Sequence, residues 1–296
     1  MRTNGQALRR LSRLLSALIL LTATGVGMIA FLWPFFAPST QGTTALAAHS
    51  QDAPLMFLLL ILLGLGATVV DLTLGQMDSQ TVAILGVLAA LGAALRLVPG
   101  PGGFSALFLL PILGGYVYGP SFGFLLGTLT LVVSSLISGG VGPWLPYQMF
   151  AAGWVGALAG LWGQTARRFG WGRATPSRLE TGVLALWGAI LGMVYGAIMN
   201  LWFWPFVFQP QQAGMYWQPG LGIRQTLARY LLFYLTTSLW WDAGRAIGNA
   251  LLVIVVGRPL LRGLYRLRLR TEVTIVPAPT EREDAFPAGR HGVLSL

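Results

Sequence analysis

Apolar runs of about membrane length recur along most of the chain, and they decide the fold class before any motif is considered. In lipid every backbone N–H and C=O must find a partner inside the protein, so such runs fold as helices. About eight runs are read, at 14–36, 54–75, 81–98, 104–119, 121–139, 146–165, 179–206 and 228–256, the fourth being short. The chain is 55% hydrophobic and 9% charged, the make-up of a polytopic membrane protein and not of a soluble domain. The expectation is an all-α polytopic membrane protein.

Missing residue types remove whole classes of chemistry. All 19 basic residues are Arg, Cys is absent, and the two His, His49 and His291, fall outside the apolar runs. Disulfides and thiolate catalysis are excluded, a Cys/His metal site is disfavoured, and no cofactor is expected. A Ser–His hydrolase within the membrane would lack its base. A phosphate-binding P-loop needs Lys, so any ATP hydrolysis must belong to another subunit.

The net charge of +10 sets topology and does not form a nucleic-acid face. Arg2, Arg9, Arg10 and Arg13 form one cluster. Arg167, Arg168, Arg173 and Arg178 form a second, and Arg258, Arg262, Arg266, Arg268 and Arg270 a third. An even number of helices places all three clusters on the cytoplasmic side, with both termini. Arg96, Arg224 and Arg229 then fall at the outer side. The first run also resembles a signal peptide, with Ala45-Leu46-Ala47 as a cleavage-like site, but its length favours a retained helix.

In the last run Ser238, Asp242, Arg245 and Asn249 share one helix face. A charge at mid-membrane costs ~2.5–3.5 kcal/mol on insertion scales, so such a stripe is read as lining a site or pathway. The competing reading is an internal Asp242–Arg245 pair that pins this helix to a neighbour. Small residues recur at helical spacing as Gly188/Gly192/Gly196, Gly156/Gly160 and Gly123/Gly127, and predict close helix packing. Gly86, Ala90 and Ala94 form a smooth ridge, with Ala89 and Ala93 beside it.

Pro/Gly-rich turns at 98–103 and 139–146 either hinge near a ligand or simply join helices. Asn200, Trp202 and Trp204 precede a long loop that carries Tyr216 and Trp217. Those aromatics suit an interfacial belt or a pocket for a bulky organic solute. Leu and Arg alternate around 258–270 as a basic amphipathic extension suited to lipid headgroups. The tail beyond about 272 has a disordered composition.

Three segments carry a family resemblance. They are Gly142-Pro143-Trp144-Leu145-Pro146-Tyr147-Gln148-Met149, Tyr195-Gly196-Ala197-Ile198-Met199-Asn200-Leu201-Trp202-Phe203-Trp204-Pro205, and Trp241-Asp242-Ala243-Gly244-Arg245-Ala246-Ile247-Gly248-Asn249. In order and spacing they resemble the substrate-binding S component of energy-coupling factor (ECF) vitamin importers, most closely the cobalamin-type branch. The resemblance implies a six-helix core at 81–257, preceded by two extra helices in 1–80 and followed by the extension and tail at 258–296. It implies a non-enzymatic subunit that binds a vitamin near the outer face and topples in the bilayer to release it. A coupling membrane subunit and two cytoplasmic ATPases supply the energy.

On this reading Asp242, Arg245 and Asn249 line the lower pocket, and Asn200, Trp202 and Trp204 form a side wall. Trp144, Tyr147, Gln148, Tyr216 and Trp217 form the lid, and the loops at 98–103 and 139–145 gate it. Ala90 and Ala94, or Ala89 and Ala93, contact the coupling subunit. The alternative is a self-sufficient secondary transporter, which predicts internal repeats and ion-coupling carboxylates at mid-depth. No convincing repeat is visible, and Asp242 is the only acidic residue placed centrally in a run.

Overall fold

A computed structural model describes residues 2–36, 44–74, 77–98, 100–101, 104–173 and 175–272. Among them the fold is helical with no strand: α1 (Arg2–Leu32), α2 (Ala45–Thr73), α3 (Ser79–Arg96), α4 (Leu109–Tyr118), α5 (Pro120–Ser138), α6 (Leu145–Arg168), α7 (Arg178–Asn200), α8 (Ile223–Phe233) and α9 (Leu239–Glu272). A single π turn, Tyr234–Ser238, joins α8 to α9 without a break. Half of the expected turn at 98–103 and the whole tail beyond 272 lie outside the described residues.

Local chemistry sets several helix ends. The Thr44 hydroxyl accepts from the Ala47 N–H at 3.2 Å and starts α2, so the cleavage-like Ala45–Ala47 occupies that helix's first turn. Asp78 caps α3 through the Thr81 N–H at 2.8 Å, which holds its carboxyl below the usual range. Ser177 and Glu180 form a reciprocal capping box on α7. Gly139, with φ 66°, ends α5, and the Gly140 N–H reaches back to the Ser135 carbonyl.

Among the described residues six helices are long and apolar enough to cross a membrane: α1, α2, α3, α5, α7 and the joined α8–α9. The other two sit inside the bundle. Leu109 through Val117 of α4 are all buried, and α6 buries most of its length. Short or less apolar helices are tolerated at membrane depth where protein, not lipid, surrounds them. That explains both the short fourth run and the modest hydropathy of α6.

Glycine rows bring backbones into direct contact at the centre. Gly123 of α5 lies on the Gly156 carbonyl of α6, Gly127 on the Ala152 carbonyl, and Gly115 of α4 also on Gly156. Gly160 abuts the Gly119–Pro120 backbone. In lipid such close approach carries helix association.

Helices α1 and α2 pack on each other and on α5 and α6. Gly27 sits under the Phe150 and Trp154 rings, and the Trp154 indole donates to Thr24 at 3.3 Å. Lower down, the Ser16 hydroxyl donates to the buried Asp71. At that same end the later arginines gather. Arg258 donates to the Pro176 carbonyl at 3.4 Å, Arg167 to the Tyr116 carbonyl at 3.3 Å, and Arg268 to the Val117 carbonyl. The stretch from 258 continues α9 across residue 257. Its apolar face, with Leu261, Leu264 and Tyr265 buried, turns into the protein, while Arg262 and Arg266 stay exposed.

Candidate functional site

The polar stripe of α9 meets the glycine row of α7. The Asp242 carboxylate rests on Gly196, where any side chain would collide with it. Asp242 pairs with Arg245, whose guanidinium lies 5.2 Å from the centroid of the Tyr195 ring. One turn further, the Asn249 amide donates to the Gly188 carbonyl at 3.2 Å and leaves its own oxygen buried without a partner. Ser238 stands apart: it ends the π turn, and its hydroxyl meets Thr237 at 3.1 Å. Asp242, Arg245 and Asn249, without Ser238, thus meet α7 at a helix–helix seam.

Above this seam the long loop folds into an aromatic cap. Trp204, Tyr216, Trp217 and Phe233 are buried together, with Phe35 of the N-terminal segment packed against them. The Trp204 indole donates to the Met215 carbonyl at 3.0 Å, and Arg229 donates to the Ala213 and Tyr216 carbonyls, both at 3.0 Å. These bonds tie the loop to α8. Asn200, buried at the end of α7, lies just below the cap.

Tyr147 and Trp202 belong to a different group, one that the sequence did not announce. His49 lies on α2 and is fully buried. Its Nε2 faces the Trp202 carbonyl at 3.0 Å; a carbonyl only accepts, so Nε2 carries the proton. Its Nδ1 lies 2.8 Å from the Tyr147 hydroxyl and 3.2 Å from Asp52. Asp52 also accepts from Tyr147 at 2.9 Å and from the Trp33 indole at 3.1 Å. The His49 ring stacks on Trp202 at 5.2 Å. This network fastens the N-terminal pair to the ends of α6 and α7. His49→Ala would strand the Trp202 carbonyl and leave Tyr147 with Asp52 alone, an expected loss of ~1–3 kcal/mol. Thermal unfolding in nanodiscs measures it, and an unchanged melting temperature would remove the clamp role.

A third polar group surrounds the end of α3. Arg96 donates to Ser134 at 2.8 Å, to Ser135 at 3.5 Å and to the Gln148 side-chain oxygen at 3.4 Å. Trp144 lies over Gly142 and donates to the Gly140 carbonyl at 3.2 Å. The Phe104 ring is seated on Gly248 of α9. Of the ridge alanines, Ala89 and Ala93 are buried in the core. Ala90 and Ala94 face outward with Gly86 and the exposed Val87 and Leu91. Among the described residues no three His, Cys, Asp or Glu side chains gather as a metal site.

The expected site residues therefore divide among neighbouring groups at one end of the bundle, all in close contact with protein. Two signals lay in the sequence: a His and an Asp three residues apart at a helix start, and an Arg directly before a Pro/Gly turn. The family model "ECF transporter, substrate-specific component" matches residues 80–257. That span runs from the start of α3 into α9 and leaves α1 and α2 outside. No curated protein and no solved structure matches the chain.

Proposed function

Since the chain belongs to the substrate-specific components of ECF transporters, we propose that it imports a vitamin, with cobalamin or a related micronutrient as its ligand. The coarse role follows from the family: a substrate-binding, multi-pass membrane subunit that works with an ECF module and is not itself the energy source. The observation that carries the finer reading is the cap of Trp204, Tyr216 and Trp217 above the Asp242–Arg245–Asn249 seam. Wide aromatic area supplies affinity for a bulky organic ligand, while a few polar groups orient it.

In this reading 81–257 is the binding core, with its aromatic end outside and both termini cytoplasmic. Trp144, Tyr147, Gln148, Tyr216 and Trp217 act as lid, and Asn200, Trp202 and Trp204 as side wall. Phe104 leaves its seat on Gly248 when ligand enters. The N-terminal pair within 1–80 braces the wall through His49. The segment 258–296 meets the cytoplasmic surface. A coupling membrane subunit and two cytoplasmic ATPases drive release.

Native mass spectrometry of the purified protein tests the ligand. A retained corrinoid mass supports cobalamin; another vitamin removes the cobalamin assignment and keeps the family role. The partner surface is tested separately. Ala90 and Ala94 face outward, so Ala90→Trp is expected to leave solitary ligand binding within about twofold while abolishing uptake in cells that carry the ECF module. Normal uptake would rule out that ridge.

A further inference from the structure

Arg96 is charged, ends α3 with its side chain half-buried, and has no carboxylate within ion-pair distance among the described residues. Nearby, Arg245 is paired by Asp242, while Arg229, like Arg96, meets only neutral acceptors, the Ala213 and Tyr216 carbonyls of the long loop. Arg96 meets three, the hydroxyls of Ser134 and Ser135 and the Gln148 amide oxygen. Both serines are fully buried on α5. Ser134 spends its own proton on the Leu131 carbonyl at 3.1 Å, so its lone pairs stay turned to the guanidinium.

An arginine at a helix end usually snorkels towards water. This one points inward, against buried hydroxyls. The favourable field at the C-terminus of α3 offsets only part of the cost of drawing a guanidinium partly out of water without a counter-charge. The Asp242 carboxylate, across on α9, is already taken up by Arg245, so the Arg96 charge is left without one. What would balance it is an anion.

We infer that Arg96 is the anion-recognising residue of the ligand site, and that the imported solute carries a phosphate or carboxylate group that docks on its guanidinium beside Gln148. The planar fork matches either oxyanion in a bidentate manner. The inference rests on the import reading and narrows it: a neutral vitamin is disfavoured, while cobalamin meets the requirement through its phosphodiester.

The test compares wild type, Arg96→Gln and Arg96→Lys in nanodiscs. The probes are cyanocobalamin and dicyanocobinamide, which lacks the phosphodiester, together with biotin and pantothenate and the neutral methyl ester of biotin. Arg96→Gln is expected to weaken the anionic probe that binds by roughly tenfold or more, leave its neutral counterpart unchanged, and be partly rescued by Arg96→Lys. Equal weakening of both members of a pair would show that Arg96 only braces α3 against α5 and α6, overturning the inference. So would unchanged binding of the anion by Arg96→Gln. If neither corrinoid binds, the cobalamin assignment falls while the anion site is judged on the carboxylates. A wild-type protein that binds no anionic probe overturns it.

Discussion

Gly156→Ala is expected to leave the chain without its packed centre. The added methyl would fall inside contact distance of the Gly123 carbonyl and meet the Gly123 Cα at 3.0 Å. Neither is the end of a flexible side chain, so α5 and α6 must move apart. Their separation would also undo the seats of Gly127 on Ala152 and of Gly115 on Gly156. Overpacking alone costs ~1–3 kcal/mol, and parting the helices adds the loss of packing on which association in lipid depends. The melting temperature should fall by roughly 5–10 °C or more, with loss of a monodisperse peak in detergent. Gly86→Ala is the control, because nothing lies within 4 Å of a side chain there. Equal melting of the two variants would mean that the α5–α6 seam is looser than its backbone contacts require.

That seam was legible from sequence because small residues at helical spacing have few other reasons to recur in an apolar run. Gly123/Gly127 and Gly156/Gly160 face one another, and Gly188/Gly192/Gly196 receives the polar face of α9. The runs themselves were legible as helices, since lipid permits little else. Hydropathy could not separate helices that touch lipid from α4 and α6, which touch mainly protein. The wheel placing Ser238 with Asp242 assumed a regular helix, and the π turn at Tyr234–Ser238 breaks that phase.

The His49 network was hidden for a different reason. Its members come from four separate segments, and each residue alone has an ordinary explanation. Trp33 and Trp202 suit an interfacial belt, Tyr147 a lid, and His49 a loop outside the apolar runs. Only the fold brings the Tyr147 hydroxyl within 2.8 Å of His49. Arg96 was likewise absorbed by a topology argument, which counts charges without asking where each points. Hydrogen bonds to Ser134 and Gln148 are long-range facts, and nothing local to residue 96 encodes them.

Asp242→Asn is expected to destabilise the protein strongly, and its double variant with Arg245→Gln to separate the two meanings of the stripe. The Asp242 carboxylate is nearly inaccessible, so neutralising it leaves the Arg245 guanidinium without a counter-charge among the described residues, held by the Asn amide oxygen, the Tyr195 ring and the Gly192 carbonyl at 3.5 Å. Breaking a buried pair on one side costs ~3–5 kcal/mol, and the retained amide oxygen of Asn places this variant at the low end. Asp71→Asn should cost less, ~0.5–1.5 kcal/mol, because an amide oxygen still accepts from Ser16. A Asp242→Asn protein that melts with Asp71→Asn would dismiss the pair as a stabilising element. In the double variant no unpaired charge remains, so most of the stability should return. Ligand binding then decides the function of the seam. If the double variant melts like wild type and still binds ligand, the pair only pins α9 to α7. If it melts like wild type and no longer binds, the same two side chains that hold the helices together also shape the pocket.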